Sequence, residues 1–326
     1  MTFIRATCLA IALAGPATMP LAAQESYRIT TGDPGGVYYP VAGAICSLVN
    51  RAAQTRPPCR TITSDGSVAN LEALRTNQAR FAIAQNDIAT QAHGGRGLFD
   101  GAAPFDTLRT VFSLHNETLT ILARGDSGIT TFDDLRGRRV NLGNVGSGQR
   151  ATTDAILDAK GWSLEDFELV SELSASDQTA ELCAGDLDAG IYIVGHPAGV
   201  IAAALAACDL VFVAADDADI AALVDSRDEF DLTEIPAETY PQAPDPVATL
   251  GVRASLFTTA ATMDDTVDHM VASVMRDLDR LTSAHPSLAA LTPEPMVRLT
   301  SSVPLHPAAR RYFQVTGYLD LQSDAD

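Results

Sequence analysis

Lysine is almost missing from this chain of 326 residues: Lys160 is the single one, and every other basic residue is an arginine. Basic residues number 22 in all, against 41 aspartates and glutamates, for a formal net charge of −19. That balance excludes binding to nucleic acid or to an anionic lipid surface, both of which require clustered positive charge. The lone lysine itself reads as compositional bias. Long apolar runs are missing too. Beyond the first two dozen residues nothing approaches the roughly 20 uninterrupted apolar residues of a membrane-spanning helix. There is no GxGxxG followed by an acid about 20 residues on, and no GxxxxGK followed by Ser or Thr, so nucleotide binding is disfavoured. "GNVGSG" at Gly143 to Gly148 inverts the order of the dinucleotide fingerprint. No repeat of fixed period and no low-complexity tract occurs, and no cofactor is implied.

The N-terminus carries a targeting pattern. Arg5 is followed by the apolar "ATCLAIALAGPATMPLAA", broken by Pro16 and Pro20, and then by polar "QES". A basic start, a short apolar core and small residues before Gln24 read as a secretory signal peptide over residues 1–23. The expected mature chain is soluble, periplasmic and free of an N-terminal lipid, since no cysteine lies at the cleavage site. About 300 residues then remain, enough for two domains, and 46% hydrophobic content supplies a sizeable core. Cys8 departs with the leader, which leaves Cys46, Cys59, Cys183 and Cys208 as two local pairs. An even number in an exported chain points to disulfides, with three connectivities open. Metal ligation is disfavoured, because neither pair has CxxC spacing or a nearby histidine.

Short β-branched runs alternate with helical patterns through the rest of the chain. Strand-like runs occur at 27–31, 60–64, 80–84, 109–114, 119–124, 138–143, 189–194 and 209–214. Alternation of this kind means an α/β fold with largely parallel sheets. In such folds ligands sit at the carboxyl ends of strands, beside the N-termini of the following helices. Three glycine-bearing junctions occupy that position, "GDPGGVYY", "SDGSVAN" and "GNVGSGQRAT", and "IVGHP" also follows a strand directly. Glycine in a tight strand-to-helix turn has structural uses as well, since it reaches positive φ without penalty.

Taken in order, "GGVYYPVAGAICSLVN", "SDGSVANLEALRTNQARFAIAQND", "FDDLRGRRVNLGNVGSGQRAT", "AKGW" and "VGHP" resemble the TAXI family of extracytoplasmic solute receptors, which serve tripartite ATP-independent periplasmic (TRAP) transporters. The similarity runs from about Tyr27 to Tyr318. It implies a type II periplasmic-binding-protein fold, two α/β lobes joined by crossing strands. Lobe 1 would hold residues 24–114 and 248–326, and lobe 2 residues 115–247. "RTVFSL" and "LTILAR" would form the first crossing and "VATLGVRASLF" (247–257) the return. The resemblance further implies a non-enzymatic, monomeric receptor. It would capture a small carboxylate, such as an acidic amino acid or dicarboxylate, and deliver it to a TRAP-type membrane permease. Members of the family carry a cysteine in the first helix and another before the second strand, as Cys46 and Cys59 do. The expected bridges are therefore Cys46–Cys59 and Cys183–Cys208, each closing a loop worth about 3 kcal/mol in the chain-entropy model. A bridge between lobes would oppose hinge closure.

Candidate ligand-binding residues follow from these junctions. Gly36, with Gly35, lets backbone amides approach a bound group, and Tyr38 offers a wall and a hydroxyl. Tyr39, turned about 100° away on the same helix, faces elsewhere. Ser67 stands at a helix start and Asn86 at a strand end. Ser147, Gly148, Gln149 and Arg150 form an anion-binding edge. Arg150 opposes the positive end of its helix dipole, a breach that points to function, with an i,i+4 pair to Asp154 as the alternative. His196 reaches the cleft or stabilises its own loop. His115 and Glu117 read as part of a solvent-facing crossing strand, and the acidic run from Asp216 to Glu238 as a solvated face. "GDSG" at Gly125 lacks the all-β context of a serine protease. Two other readings stay open: a binding protein feeding a sensor kinase, and an exported enzyme using Ser67 or His196. For the enzyme no nucleophile–base–acid set is present.

Overall fold

The structure, a computed structural model, describes residues 27–52 and 57–320. The expected leader lies outside them. The β-branched runs become β1 Tyr27–Thr30, β2 Cys59–Ile62, β3 Phe81–Gln85, β4 Leu108–Arg124, β5 Arg139–Asn141, β6 Leu169–Ser171, β7 Ala189–Val194, β8 Leu210–Val213, β9 Phe230–Ile235 and β10 Val247–Thr259. The helices that matter for the site are α1 Tyr38–Ala52, α2 Ser67–Arg75, α3 Asn86–Gly94, α4 Gly148–Ala159, α5 Gln178–Ala184, α6 Gly199–Ala207, α7 Ala218–Ser226 and α8 Asp264–Arg276. One sheet runs in the order β2-β1-β3-β10-β4-β7-β5-β6, with β8 against β4 and β9 against β10.

β1 is parallel to β2 and β3, and β5 is parallel to β6 and β7. Every residue of β3 and β7 is buried, as expected for parallel strands covered on both faces. The two parallel sets are stitched together by antiparallel β4 and β10. β10 pairs with β9 from Val247 to Val252 and with β3 from Ala254 to Phe257. β4 pairs with β7 from Thr118 to Ala123, and its earlier residues pair with β10. Both long strands therefore change neighbours near Glu117 and Val252, and a register shift falls between Arg253 and Ser255. The sheet thus has a first half, built on β1–β3, and a second half, built on β5–β7, joined by two crossing strands.

Two features differ from the sequence reading. The expected pair of strands around 109–124 is one continuous strand of 17 residues, because "HNET" keeps its ladder partners on β10 and β7. The acidic run contains α7 and the strand β9, which buries Phe230 and Ile235 while turning Asp231 and Glu234 outward.

Helix α1 shows why the layers hold. Val41, Ile45, Leu48 and Val49 recur at helical spacing and are all buried. Each side chain of this size stabilises the fold by about 1.5–3 kcal/mol when removed from water. Gly43 lies on the outer face, where a side chain would meet nothing within 4 Å. The cores follow the halves in part. Ile29, Phe81, Phe112, Met270 and Phe313 belong to one cluster, and Phe132, Leu142, Ile156 and Phe230 to another. Both expected disulfides are present. Cys46 joins Cys59 with Cα atoms 5.0 Å apart, and Cys183 joins Cys208 at 5.5 Å.

Lys160, at the end of α4, is more than a compositional accident. Its side chain is 1% exposed, and its ammonium lies 2.9 Å from Asp133, 2.8 Å from Asp217 and 3.4 Å from Asp219. The rings of Phe132 and Trp162 flank it at 5.3 and 5.7 Å. It ties the α4 end to the start of α7 within the second half.

Candidate functional site

A buried asparagine braces the strand ends in each half. In the first half Asn70, on α2, is fully buried. Its Oδ1 accepts from Thr30 Oγ1 (2.6 Å) and Ser64 Oγ (2.6 Å), while its Nδ2 donates to Ile83 O (2.7 Å) and to Thr31 O. One side chain thereby fixes α2 to the end of β1 and the middle of β3 and places Ser67 at their mouth. In the second half Asn141 ends β5 and is also fully buried. It accepts from Leu173 N (2.7 Å) and donates to Gln178 Oε1 (3.0 Å) at the start of α5. Fully satisfied buried amides of this kind fix geometry, because every alternative leaves a polar group unpaired.

The two halves meet. Ala69 N donates to Gly146 O (3.1 Å), Val200 N to Gly35 O (3.0 Å) and Asn144 Nδ2 to Asp65 O (3.2 Å). Ser176 Oγ donates to Asp33 Oδ1 (2.7 Å), and Gln85 Nε2 to Thr152 Oγ1 (2.8 Å). The glycines of the junctions sit at these contacts. A Cβ on Gly148 would lie 1.7 Å from Gln85 Oε1 and 2.7 Å from Ser67 Oγ. Gly66 has φ +122°, and its Cβ would lie 3.1 Å from the Ser147 backbone. The glycines admit the opposite half as well as any bound group.

Between the halves lies a cavity of about 80 Å³, room for several waters or a small solute. Gly36, Tyr38, Ser67, Ser147, Gly148 and Gln149 all line it. The N-termini of α1, α2 and α4 therefore converge there. Tyr38 donates to Glu117 Oε2 at 2.6 Å, and its hydroxyl is 3.5 Å from Ser67 Oγ. Burial, then the charge of Glu117, holds the Tyr38 pKa well above its ordinary value, so it stays a donor. Tyr39 turns outward. Tyr192, from β7, is fully buried and also lines the cavity, its pKa pushed up to about 12 by burial.

Three expected ligand residues are placed elsewhere. Arg150 does not line the cavity. Its Nε donates to Asp154 Oδ1 (2.8 Å) and its Nη1 to Glu172 Oε1, so two carboxylates offset the unfavourable dipole. Asn86 starts α3 and donates to Thr300 Oγ1 at 2.7 Å, away from the cavity. His196 is held between Tyr240 OH (2.7 Å from Nδ1) and Thr120 Oγ1 (2.8 Å from Nε2). Burial lowers its pKa to about 4, so it is neutral. Gln149 lines the cavity, yet its amide donates to Ile191 O at 2.6 Å and is occupied with the sheet.

The residue that the sequence reading set aside is central. Glu117 is not on a solvent-facing strand: its side chain is 5% exposed and lines the cavity from the crossing point of β4. No arginine, lysine or histidine lines the cavity with it, and the other two carboxylates there, Asp33 and Asp65, are half-buried and exposed. No group of three or more metal-ligating side chains occurs among the described residues.

A family model described as the NMT1-like family matches residues 29–317. The chain belongs to that family. Among solved structures, a protein from Bordetella bronchiseptica RB50 superposes with a TM-score of 0.56 at 11% identity, over 90% of this chain and 99% of that one. MatC from Rhodopseudomonas palustris, solved with bound malate, gives 0.55 at 16% identity, over 85% and 92%. This NMT1-like chain thus has the periplasmic-binding-protein fold, with two α/β halves on crossing strands. No helix among the described residues is long and apolar enough to cross a membrane.

A buried acid at the contact between halves couples this NMT1-like fold to pH. Asp87, in the first turn of α3, accepts from Thr152 Oγ1 (2.9 Å) of the second half, with Gln85 Nε2 at 3.4 Å. Burial raises its pKa from 3.8 to about 7, opposed by the Thr152 hydrogen bond; Glu229 adds to the rise and Arg227 opposes it. A parting of the halves that let water reach the carboxyl would return its pKa toward the ordinary value. Closing must therefore take up a proton between about pH 4 and about 7, so closure is favoured at the acid end and weakens as pH rises through 7. Titration calorimetry at pH 6 in buffers of different ionisation enthalpy should report proton uptake on ligand binding. Asp87→Asn should remove it; uptake that persists in this variant would assign it to another group.

Proposed function

We propose that this chain is an exported, monomeric solute-binding receptor of the TAXI type. It captures a small organic acid between its halves and hands it to a TRAP-type permease in the membrane. One observation carries the reading: polar contacts close the two halves over a small cavity where helix N-termini meet one buried carboxylate and no cation. Helix N-termini supply oriented amides for an anionic group without a positive side chain. Glu117 requires the opposite, a ligand group that donates or carries positive charge. A ligand with both is an amino acid, its carboxylate at the starts of α2 and α4 and its ammonium on Glu117. A plain dicarboxylate such as the malate found in MatC would set one of its charges against Glu117.

The test is mass spectrometry of the small molecule released by denaturing gently purified protein, followed by uptake in vesicles carrying the cognate permease. Co-purification of an amino acid, with uptake driven by an ion gradient and no ATP, is the expected result. Uptake that requires ATP would reject the TRAP assignment, and chemical conversion of the bound molecule would reject a receptor.

A further inference from the structure

A second cavity, of about 350 Å³, opens at the crossing of β4 and β10, and both halves supply its walls. One side is apolar, from Leu114, Leu291, Pro236 and Pro295; the other carries His115, Arg253 and Ser287. Glu234, exposed, is the one carboxylate among the lining residues. This polarity is unusual in a chain of net charge −19.

Two side chains there are unfinished. The His115 imidazole is completely enclosed, and neither ring nitrogen has a hydrogen-bond partner. Nε2 stands 3.8 Å from Glu117 Oε1, beyond hydrogen-bond reach. The ring is held against Gly195, where an added Cβ would lie 2.6 Å from Cδ2, so it has little freedom to turn toward another partner. Arg253 donates from Nη1 to Leu114 O at 2.9 Å and has no carboxylate within ion-pair distance among the described residues. Burial pulls its pKa down and Arg298 adds to this, with only Asp231 opposing. Nearby His285 is pushed down by burial and by His115 in turn. Arg253, a cation with no carboxylate partner inside an acidic protein, makes the pocket a local attractor for anions. Buried polar groups left unpaired lower stability until something pairs them.

We propose that this crossing-point pocket is a second binding site, distinct from the cavity between the helix N-termini, for a short monocarboxylate with an apolar body. The carboxylate sits between Arg253 and His115, where a planar guanidinium can hold both oxygens. The body lies against Leu114, Leu291 and the prolines. Phosphate and sulfate fit less well, because half of the wall offers them nothing.

Benzoate is the probe, titrated calorimetrically into the full chain in a buffer free of carboxylates, with the imidazole nitrogen signals of His115 followed by NMR. Saturable one-to-one binding is expected, with a shift of the His115 signals. Benzyl alcohol, which lacks the charge, should bind at least about tenfold more weakly, the loss of a charge-assisted hydrogen bond. Arg253→Gln should weaken benzoate by a similar factor. Ala290→Trp, at the exposed rim, should block it without disturbing the core. The absence of saturable binding up to about 10 mM would overturn the site. So would binding that both variants leave unchanged, which would place benzoate in the other cavity.

Discussion

Glu117→Gln is expected to weaken capture of an amino acid by roughly 30-fold to several thousand-fold. The exchange is nearly isosteric, and the amide oxygen still accepts from Tyr38, so the wall of the cavity keeps its shape while its charge goes. Truncating one partner of a buried, hydrogen-bonded charge pair costs about 2–5 kcal/mol, much of it from leaving the other charge unpaired. Tyr38→Phe should cost less. It removes one donor to the carboxylate, and hydrogen bonds to charged groups are worth about 1.5–3 kcal/mol. The direction of the effect separates ligand classes. If the solute were a dicarboxylate, removing the negative charge of Glu117 would tighten binding instead. Calorimetry of wild type and both variants with the co-purified solute decides it, and unchanged affinity in Glu117→Gln would remove the ammonium contact altogether.

Gly148→Ala should impair closure while leaving the ligand-free fold alone. The added methyl would overlap Gln85, whose side-chain amide donates to Thr152 and whose backbone N–H donates to Ser67 Oγ (3.1 Å), and would crowd Ser67 as well. Overpacking of this kind costs about 1–3 kcal/mol, or about 5- to 150-fold in affinity when it acts only on the closed state. The melting temperature without ligand should be nearly unchanged, because the clash vanishes when the halves part. Gly43→Ala, in open space on α1, is the control and should raise stability slightly through helix propensity. Normal affinity in Gly148→Ala would mean that the halves need not approach this closely to hold the solute.

The two halves and their crossing strands were legible only through the resemblance to the TAXI family, whereas the α/β alternation and the two local cysteine pairs were legible because local patterns determine them. β-branched runs, glycine junctions and paired cysteines declare themselves within a few residues. Gly36, Tyr38, Ser67 and Ser147 to Gln149 were legible for the same reason, as starts of helices that follow strands. Arg150 misled because its dipole breach was weighed above the Asp154 four residues on; Glu172, which completes its pairing, is 22 residues away. Glu117 was hidden by its company. "HNET" looks like a wet turn, and only the pairing of β4 with both β10 and β7 turns it into the buried middle of a strand. Asn70 and Asn141 left no signal at all, since an asparagine bonded to backbone groups 39 and 32 residues distant looks like any surface amide in one dimension. β9 escaped because its outward residues are acidic and leucine, which mask a two-residue period.

The enclosure of Lys160 has a practical side. A chain with one lysine, its ammonium locked among Asp133, Asp217 and Asp219, offers amine-directed reagents a single reactive group, the α-amine that every chain carries. Surface coupling or fluorescent tagging through amines will therefore attach one handle per molecule at one end. Because Lys160 itself is not modified, its bonds to Asp133 and Asp217, which tie the end of α4 to the start of α7, survive the labelling.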